Sequence, residues 1–236
     1  MEKRIGYSIL LAILLFLPVC VYSTNITFTS SGIIEDGNVY DNVYVENNGT
    51  VVDMSGGQIS YLLTRDASIF NMSGGQIIYS WPGITIESVS TINVSGGTVD
   101  TFDFVVYGSA VANISGGNIT ADRLKTSPDS VVNINGGSCN FETIDISGEL
   151  NIYRGLVNAN NAYISYIYPS SAVNIFGYGF NYNPGQGGIL TGYLLDDNQF
   201  IINGVSQSEY ARFNLIPEPM SLLLFGFGLL VLRKTK

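Results

Sequence analysis

The chain has 236 residues, ten bases against nineteen acids and no histidine, for a formal net charge of −9. Histidine-based acid–base catalysis and histidine-containing zinc sites are excluded, and the acid surplus argues against nucleic acid, whose binding needs clustered base. Charged residues make up 12% of the chain, against about 25% in ordinary globular proteins, so solubility rests on Asn, Ser, Thr and Gly.

Residues 1–23 read as a secretory signal peptide. Lys3 and Arg4 precede an apolar run from Ile9 to Leu17, which has the length of a signal h-region. The two bases favour the cytoplasmic side. Val21 and Ser23 are compact enough for a cleavage pocket, which places cleavage after Ser23. A lipobox at Leu17–Cys20 and an uncleaved anchor are the alternatives. Pro18 and Val19 suit a lipobox poorly, because small residues are wanted there.

The expected mature chain, Thr24 to Ile216, has 193 residues, enough for one substantial core. It carries five bases (Arg65, Arg123, Lys125, Arg154, Arg212) against seventeen acids, and one cysteine, Cys139. No disulfide forms within one such chain. In its first part, residues 24–50, apolar positions alternate around Val39, Val43 and Val45. That pattern predicts strands capping the N-terminal end of the array that follows.

Residues 51–176 are built from a repeat. Its mark is Asn, an apolar residue, Ser and two glycines: Asp53-Met-Ser-Gly-Gly57, Asn71-Met-Ser-Gly-Gly75, Asn93-Val-Ser-Gly-Gly97, Asn113-Ile-Ser-Gly-Gly117 and Asn133-Ile-Asn-Gly-Gly137. Worn copies follow at Asn151-Ile-Tyr-Arg-Gly155 and Asn174-Ile-Phe-Gly-Tyr178. Successive anchors stand 18, 22, 20, 20, 18 and 23 residues apart. Spacing near 20 residues is the signature of a stacked array.

The columns of the repeat define its geometry. Val52, Phe70, Ile92, Ala112, Val132, Leu150 and Val173 precede the anchors; Met54, Met72, Val94, Ile114, Ile134, Ile152 and Ile175 follow them. Apolar, polar, apolar is a strand with one buried face. The glycine pair breaks that strand. A further apolar column comes two positions later, at Ile59, Ile77, Val99, Ile119, Cys139, Val157 and Phe180. A unit this short closes no core alone, so units must stack like on like. The expected fold is all-β: a single-stranded parallel β-helix, right-handed because the coil length matches such folds and the six-residue period of left-handed solenoids is absent. At about 4.8 Å per coil, seven coils rise about 34 Å.

The anchor column supports two readings. Stacked asparagines hydrogen-bond along the axis as a ladder, while Asn71, Asn93, Asn113 and Asn118 also head glycosylation sequons. The sequon follows automatically from the repeat, which favours the ladder. Cys139 stands in an inward column and reads as a small buried hydrophobe. Thr64–Ser68, Trp81–Gly83 and Thr126–Ser130 read as flanking loops. Residues 177–206, rich in Gly and Tyr, are expected to form a β-meander closing the C-terminal end. Residues 207–216 read as a linker.

Residues 217–236 form a tripartite tail. Pro217, Glu218 and Pro219 precede an apolar stretch from Met220 to Leu232, which ends on Arg233, Lys234 and Lys236. Thirteen helical residues span about 20 Å, short of the roughly 30 Å hydrocarbon core. The terminal bases act as a stop-transfer signal at the cytoplasmic face, and the prolines keep the preceding segment extended. This order of motif, transmembrane helix and base resembles the PEP-CTERM sorting signal of Gram-negative bacteria. The resemblance covers about the last 20 residues. It implies transient anchoring in the inner membrane and recognition by an exosortase, a membrane protease or transpeptidase that acts near the motif.

Two other kinds of chemistry are open. Asp100, Asp122 and Glu142 follow their glycine pairs at similar offsets, with Arg123 and Lys125 nearby, and a β-helix lyase or hydrolase would need such carboxylates. A solvated acidic face accounts for them more simply. Tyr163, Tyr166, Tyr168, Tyr178, Tyr182 and Tyr193 offer rings for stacking on sugars, or for covering the last coil. The expectation is an exported, non-enzymatic cell-surface or matrix protein without cofactor or metal, associated with exopolysaccharide. A carbohydrate-binding module is the alternative, and a polysaccharide-cleaving enzyme a more distant one.

Overall fold

The alternation around each anchor produces a short strand, and the strands lie one upon the next. Val51–Met54, Ile69–Met72, Thr91–Val94 and Val111–Ile114, then 131–134, 149–152 and 172–175 within longer strands, pair in parallel with every anchor opposite the next. The computed structural model describes residues 24–78, 81–159 and 163–218, with backbone alone at 163–166 and 186. These form a parallel β-solenoid of about seven turns. Its inward columns are buried throughout, so one continuous apolar core runs from Ile34 to Phe213. No coil has a core of its own, which is why the stack is the unit of stability.

The glycine pair is required by the closeness of the coils. A Cβ on Gly74, Gly96 or Gly116 would lie 2.3 Å from the carbonyl oxygen of the serine one coil earlier, Ser55, Ser73 or Ser95. The second glycine of each pair has positive φ, 77° at Gly75 and 82° at Gly97, where L side chains are strained. Space forbids a side chain at the first position, and space and backbone angle together forbid one at the second.

A second corner is stacked in the same way but built from hydroxyls. Thr50, Ser68, Ser90 and Ser130 are buried just before successive anchor strands, with Ala110 in the same column. Ser90 Oγ donates to Glu87 O at 2.6 Å, and Ser130 Oγ to Ser127 O at 2.8 Å. Ser68 Oγ donates to Val45 O at 3.0 Å, so these three buried serine hydroxyls are each paired with a main-chain carbonyl. The stretches at 64–68 and 126–130 are therefore regular corners that begin on the buried strand ends Thr64 and Thr126, not loose flanking loops.

Both ends depart from the sequence reading. Residues 24–50 form no distinct cap. Thr24–Phe28 pairs with Val39–Val45, which pairs in turn with Gln58–Thr64, and Gly32–Ile34 lies under Val51–Met54, all in parallel. At the other end Ala172–Asn183 runs out of the stack and pairs antiparallel with Ile189–Leu194, which pairs antiparallel with Gln199–Ile202. This meander does not end the solenoid. Gln199–Ile202 returns above 158–159, so buried Phe200, and not Phe180, continues the column above Val157.

Residues 207–216 are no free linker either. Gln207–Tyr210 is a helical turn with a capping box between Ser206 and Glu209. Phe213–Pro217 then adds a further parallel strand, with Val173 opposite Phe213 and Gly177 opposite Pro217. Burial of Phe213 and an in-register ladder of backbone bonds outweigh the absence of glycines that hid this strand.

Gly96→Ala is expected to lower stability by about 1–3 kcal/mol, the usual cost of overpacking, whereas Gly37→Ala meets nothing within 4 Å and costs only its strained φ of 90°. Urea unfolding of the two variants measures the difference.

Candidate functional site

The anchor column is a continuous ladder. Asn71 Nδ2 donates to Asp53 Oδ1 at 2.7 Å, Asn93 to Asn71 at 2.8 Å, and Asn113, Asn133 and Asn151 each to the preceding member at 2.9 Å. Asn174 donates to Asn151 and Asn214 to Asn174, both at 2.7 Å. Every bond points toward the N-terminus. The run begins at Asp53, whose carboxylate only accepts, and Ile33 beneath it has no polar side chain. Each interior amide uses one N–H and one lone pair along the ladder, which leaves a second donor and a second acceptor site per coil, the donor of Asn174 being taken by Glu149 Oε1 at 3.1 Å.

The column beside the ladder changes in size along the axis. It reads Ser55, Ser73, Ser95, Ser115, Asn135, Tyr153 and Phe176. The small residues at Ser115 and Asn135 leave a groove lined also by Asn113, Asn133 and Tyr153. Tyr153 forms its end wall. Phe176, one coil further on, stacks behind that ring at 4.3 Å and 17°. The meander turn holds the backbone there, with Leu195 N donating to Tyr153 O at 3.0 Å and Gly155 N to Asp196 Oδ2 at 2.8 Å. Sequence reading misses this groove, although the shift from serine to amide to aromatic in one column is its visible trace.

The acidic residues separate into two columns. Asp100 stands opposite Thr120, itself opposite Asn140, so it has no carboxylate above it. Asp122 and Glu142 do share a shallow groove with Phe102, Arg123, Thr143 and Asp145. Arg123 is committed elsewhere: Nε and Nη2 each donate to Asp103 at 2.8 Å. That bond keeps the guanidinium pKa raised. Lys125 sits 5.9 Å over the Tyr107 ring. The groove thus offers negative charge with no uncommitted guanidinium, and among the described residues no three Cys, Asp or Glu side chains converge to hold a metal.

The C-terminal tyrosines divide by role. Tyr182 stacks on Tyr210 at 4.0 Å and donates to Val205 O, a structural closure of the meander. Tyr178 and Tyr193 stack at 5.4 Å on the exposed side, and the Tyr178 hydroxyl bonds Asp197 Oδ1 at 2.8 Å, which raises its pKa. Tyr168 is exposed. The side chains of Tyr163 and Tyr166 lie outside the described residues. Cys139 is inward and buried, and burial pushes its thiol up to about 12.

Of the three residues expected to form a sorting motif, Pro217 closes the last strand and Glu218 N donates to Gly177 O at 3.1 Å. Pro219, the expected stop-transfer residues Arg233, Lys234 and Lys236, and the expected signal-cleavage residue Ser23 lie outside the described residues. Among the described residues no helix is long and apolar enough to cross a membrane. No family model matches the chain, and comparison with curated proteins and with solved structures likewise finds no match.

Two outcomes follow from this geometry. Asn113→Ala strands the donor of Asn133 and the acceptor of Asn93 and is expected to cost about 1–3 kcal/mol, while the exposed end member Asn214→Ala should stay within about 0.5 kcal/mol, both read by urea unfolding. The Cys139 thiol ionises near 9.0 when unfolded and near 12 when folded, so the unfolded chain loses its proton first. Stability is therefore full below pH 9 and falls between the two values by at most about 1.4 kcal/mol per pH unit. The slope should shrink by that amount in Cys139→Val.

Proposed function

We propose that this chain is an exported structural protein of the cell surface or extracellular matrix. Its solenoid, a right-handed parallel β-helix, serves as a rigid spacer or adhesive element in exopolysaccharide. It is made with a cleaved signal peptide, held in the inner membrane by its C-terminal helix, and processed at Pro217-Glu218-Pro219 by an exosortase-type protease or transpeptidase. It acts without enzymatic chemistry.

The observation that supports this reading is the parallel stacking that links the described strands from Thr24–Phe28 to Phe213–Pro217. The last strand ends on the first residue of the tail motif. A protein held by such a tail would stand on the membrane as a rod of about 34 Å at 4.8 Å per coil, with little slack between rod and anchor. The acid surplus suits a surface that must not adhere to anionic envelopes.

Mass spectrometry of the protein recovered from cell surface and medium tests the reading. The expected form begins at Thr24 and lacks the apolar segment from Met220 onward. Recovery of released protein that still ends in Arg233–Lys236 would refute the sorting step.

A further inference from the structure

We infer that the groove formed by Asn113, Ser115, Asn133, Asn135 and Tyr153 binds an uncharged glycan, with the ring of Tyr153 as its stacking platform. The inference names the ligand class and site behind the proposed association with exopolysaccharide, and rests on that reading only for the source of the glycan.

Three observations carry it. The first is the step in the outer column: four coils of serine, one of asparagine, then two aromatic rings. One face of Tyr153 is occupied by Phe176 at 4.3 Å, so the ring is fixed in orientation, and it lines the groove. A flat ring at the end of a cleft matches the apolar C–H face of a pyranose, in the way aromatic residues present a rigid apolar body beside polar partners. The second is the density of uncharged polar groups on the floor. Asn113 and Asn133 each spend one donor and one acceptor on the ladder and retain one of each, while Asn135 and Ser115 stand exposed beside them. Vicinal hydroxyls both donate and accept, and this floor offers both at successive coils about 4.8 Å apart. The third is charge. None of the six lining residues, Ile114 included, has a side chain ionisable near neutral pH, and the chain as a whole is acidic at −9. Uronates and sulfated chains would enter against the field of the protein, with Arg154, opposite Asn135 in register, as a base beside the groove rather than in its lining.

Placement on the outer face explains how a site arises here without harm to the fold. The ladder and the glycines are fixed by stacking, whereas the column beside them varies from Ser to Asn, Tyr and Phe, and the register shift it introduces at Asn135 leaves the anchors paired in line.

The test is calorimetric titration of the full chain in a non-glycosidic detergent with cellohexaose and mannohexaose, and with hexagalacturonate as the anionic probe. A site with one platform and a few hydrogen bonds is expected to bind at least one neutral hexamer with a dissociation constant on the order of 0.1–1 mM. Tyr153→Ala should weaken it at least about tenfold, a change of about 1.4 kcal/mol, and Tyr153→Phe should retain it. Because Tyr153→Ala also removes the stack on Phe176, Asn135→Tyr serves as the second variant. It extends the aromatic column one coil into the groove, at an exposed position, and should abolish binding with an unchanged far-ultraviolet spectrum. Tyr178→Ala, in the exposed pair on the meander, should leave affinity unchanged. Absence of binding to both neutral hexamers overturns the inference, as does binding of hexagalacturonate at equal strength. Retained affinity in both Tyr153→Ala and Asn135→Tyr overturns it too, and loss in Tyr178→Ala alone would move the site to the meander. All these measurements use purified protein, so their failure leaves the sorting proposal standing, and failure of the sorting experiment leaves them untouched.

Discussion

Everything in this molecule follows from the requirement that each coil lie flat on its predecessor at strand spacing. Backbone hydrogen bonds run along the axis, so any residue that lifts two coils apart at one corner breaks bonds on every side. The corner of paired glycines is where that demand is strictest, because the serine carbonyl of one coil points at the glycine Cα of the next. Where stacking permits, length varies freely. Between the same two inward columns the residues are three apart at Ile59 and Leu62, seven apart at Ile77 and Ile84, and five apart at Val99 and Phe104. The columns stay in line on either side of the extra residues. The meander is a larger instance of the same freedom, separating two consecutive ladder members by 40 residues.

This explains which parts of the fold were legible in the sequence. The inward columns and the anchor column follow a strict period, and from Val52 to Ile175 every residue assigned to the two columns flanking the anchors is buried. Legibility ends where the chain leaves the stack. Counting onward from Asn174 arrives at Phe180, but the position is filled from 20 residues later by Phe200, since adjacency in space no longer follows adjacency in sequence. Asn214 was hidden for the same reason, and because Leu215 and Ile216 follow it without the glycine mark. The buried hydroxyl column was concealed differently. Ser68, Ser90 and Ser130 look like surface turn residues, and only the coil geometry reveals that they are enclosed and bonded to main-chain carbonyls.

The candidate site was less legible than the fold, and the physics of the repeat gives the reason. Sequence periodicity reports what is constrained, and constraint here lies inward. The outer column of Ser115, Asn135 and Tyr153 is not bound by the period, so its variation reads as wear in the repeat. Once the coils are stacked, the same variation is a change of depth along one face, ending at a ring held from behind. The carboxylates illustrate the converse. Asp100 and Asp122 have similar offsets from their glycines, yet the register puts them in different columns.

The one-way sense of the asparagine ladder has a further physical meaning. Seven amides aligned head to tail from Asn71 to Asn214 add their dipoles, as peptide groups do along an α-helix. The donor end of that line carries partial positive charge, and it falls on Asp53, the one carboxylate in the column. A β-solenoid has almost no dipole along its strands, which turn through every direction in each coil. In this protein the side chains supply an axial dipole, with an acid at its positive end where a helix would carry its N-terminal aspartate.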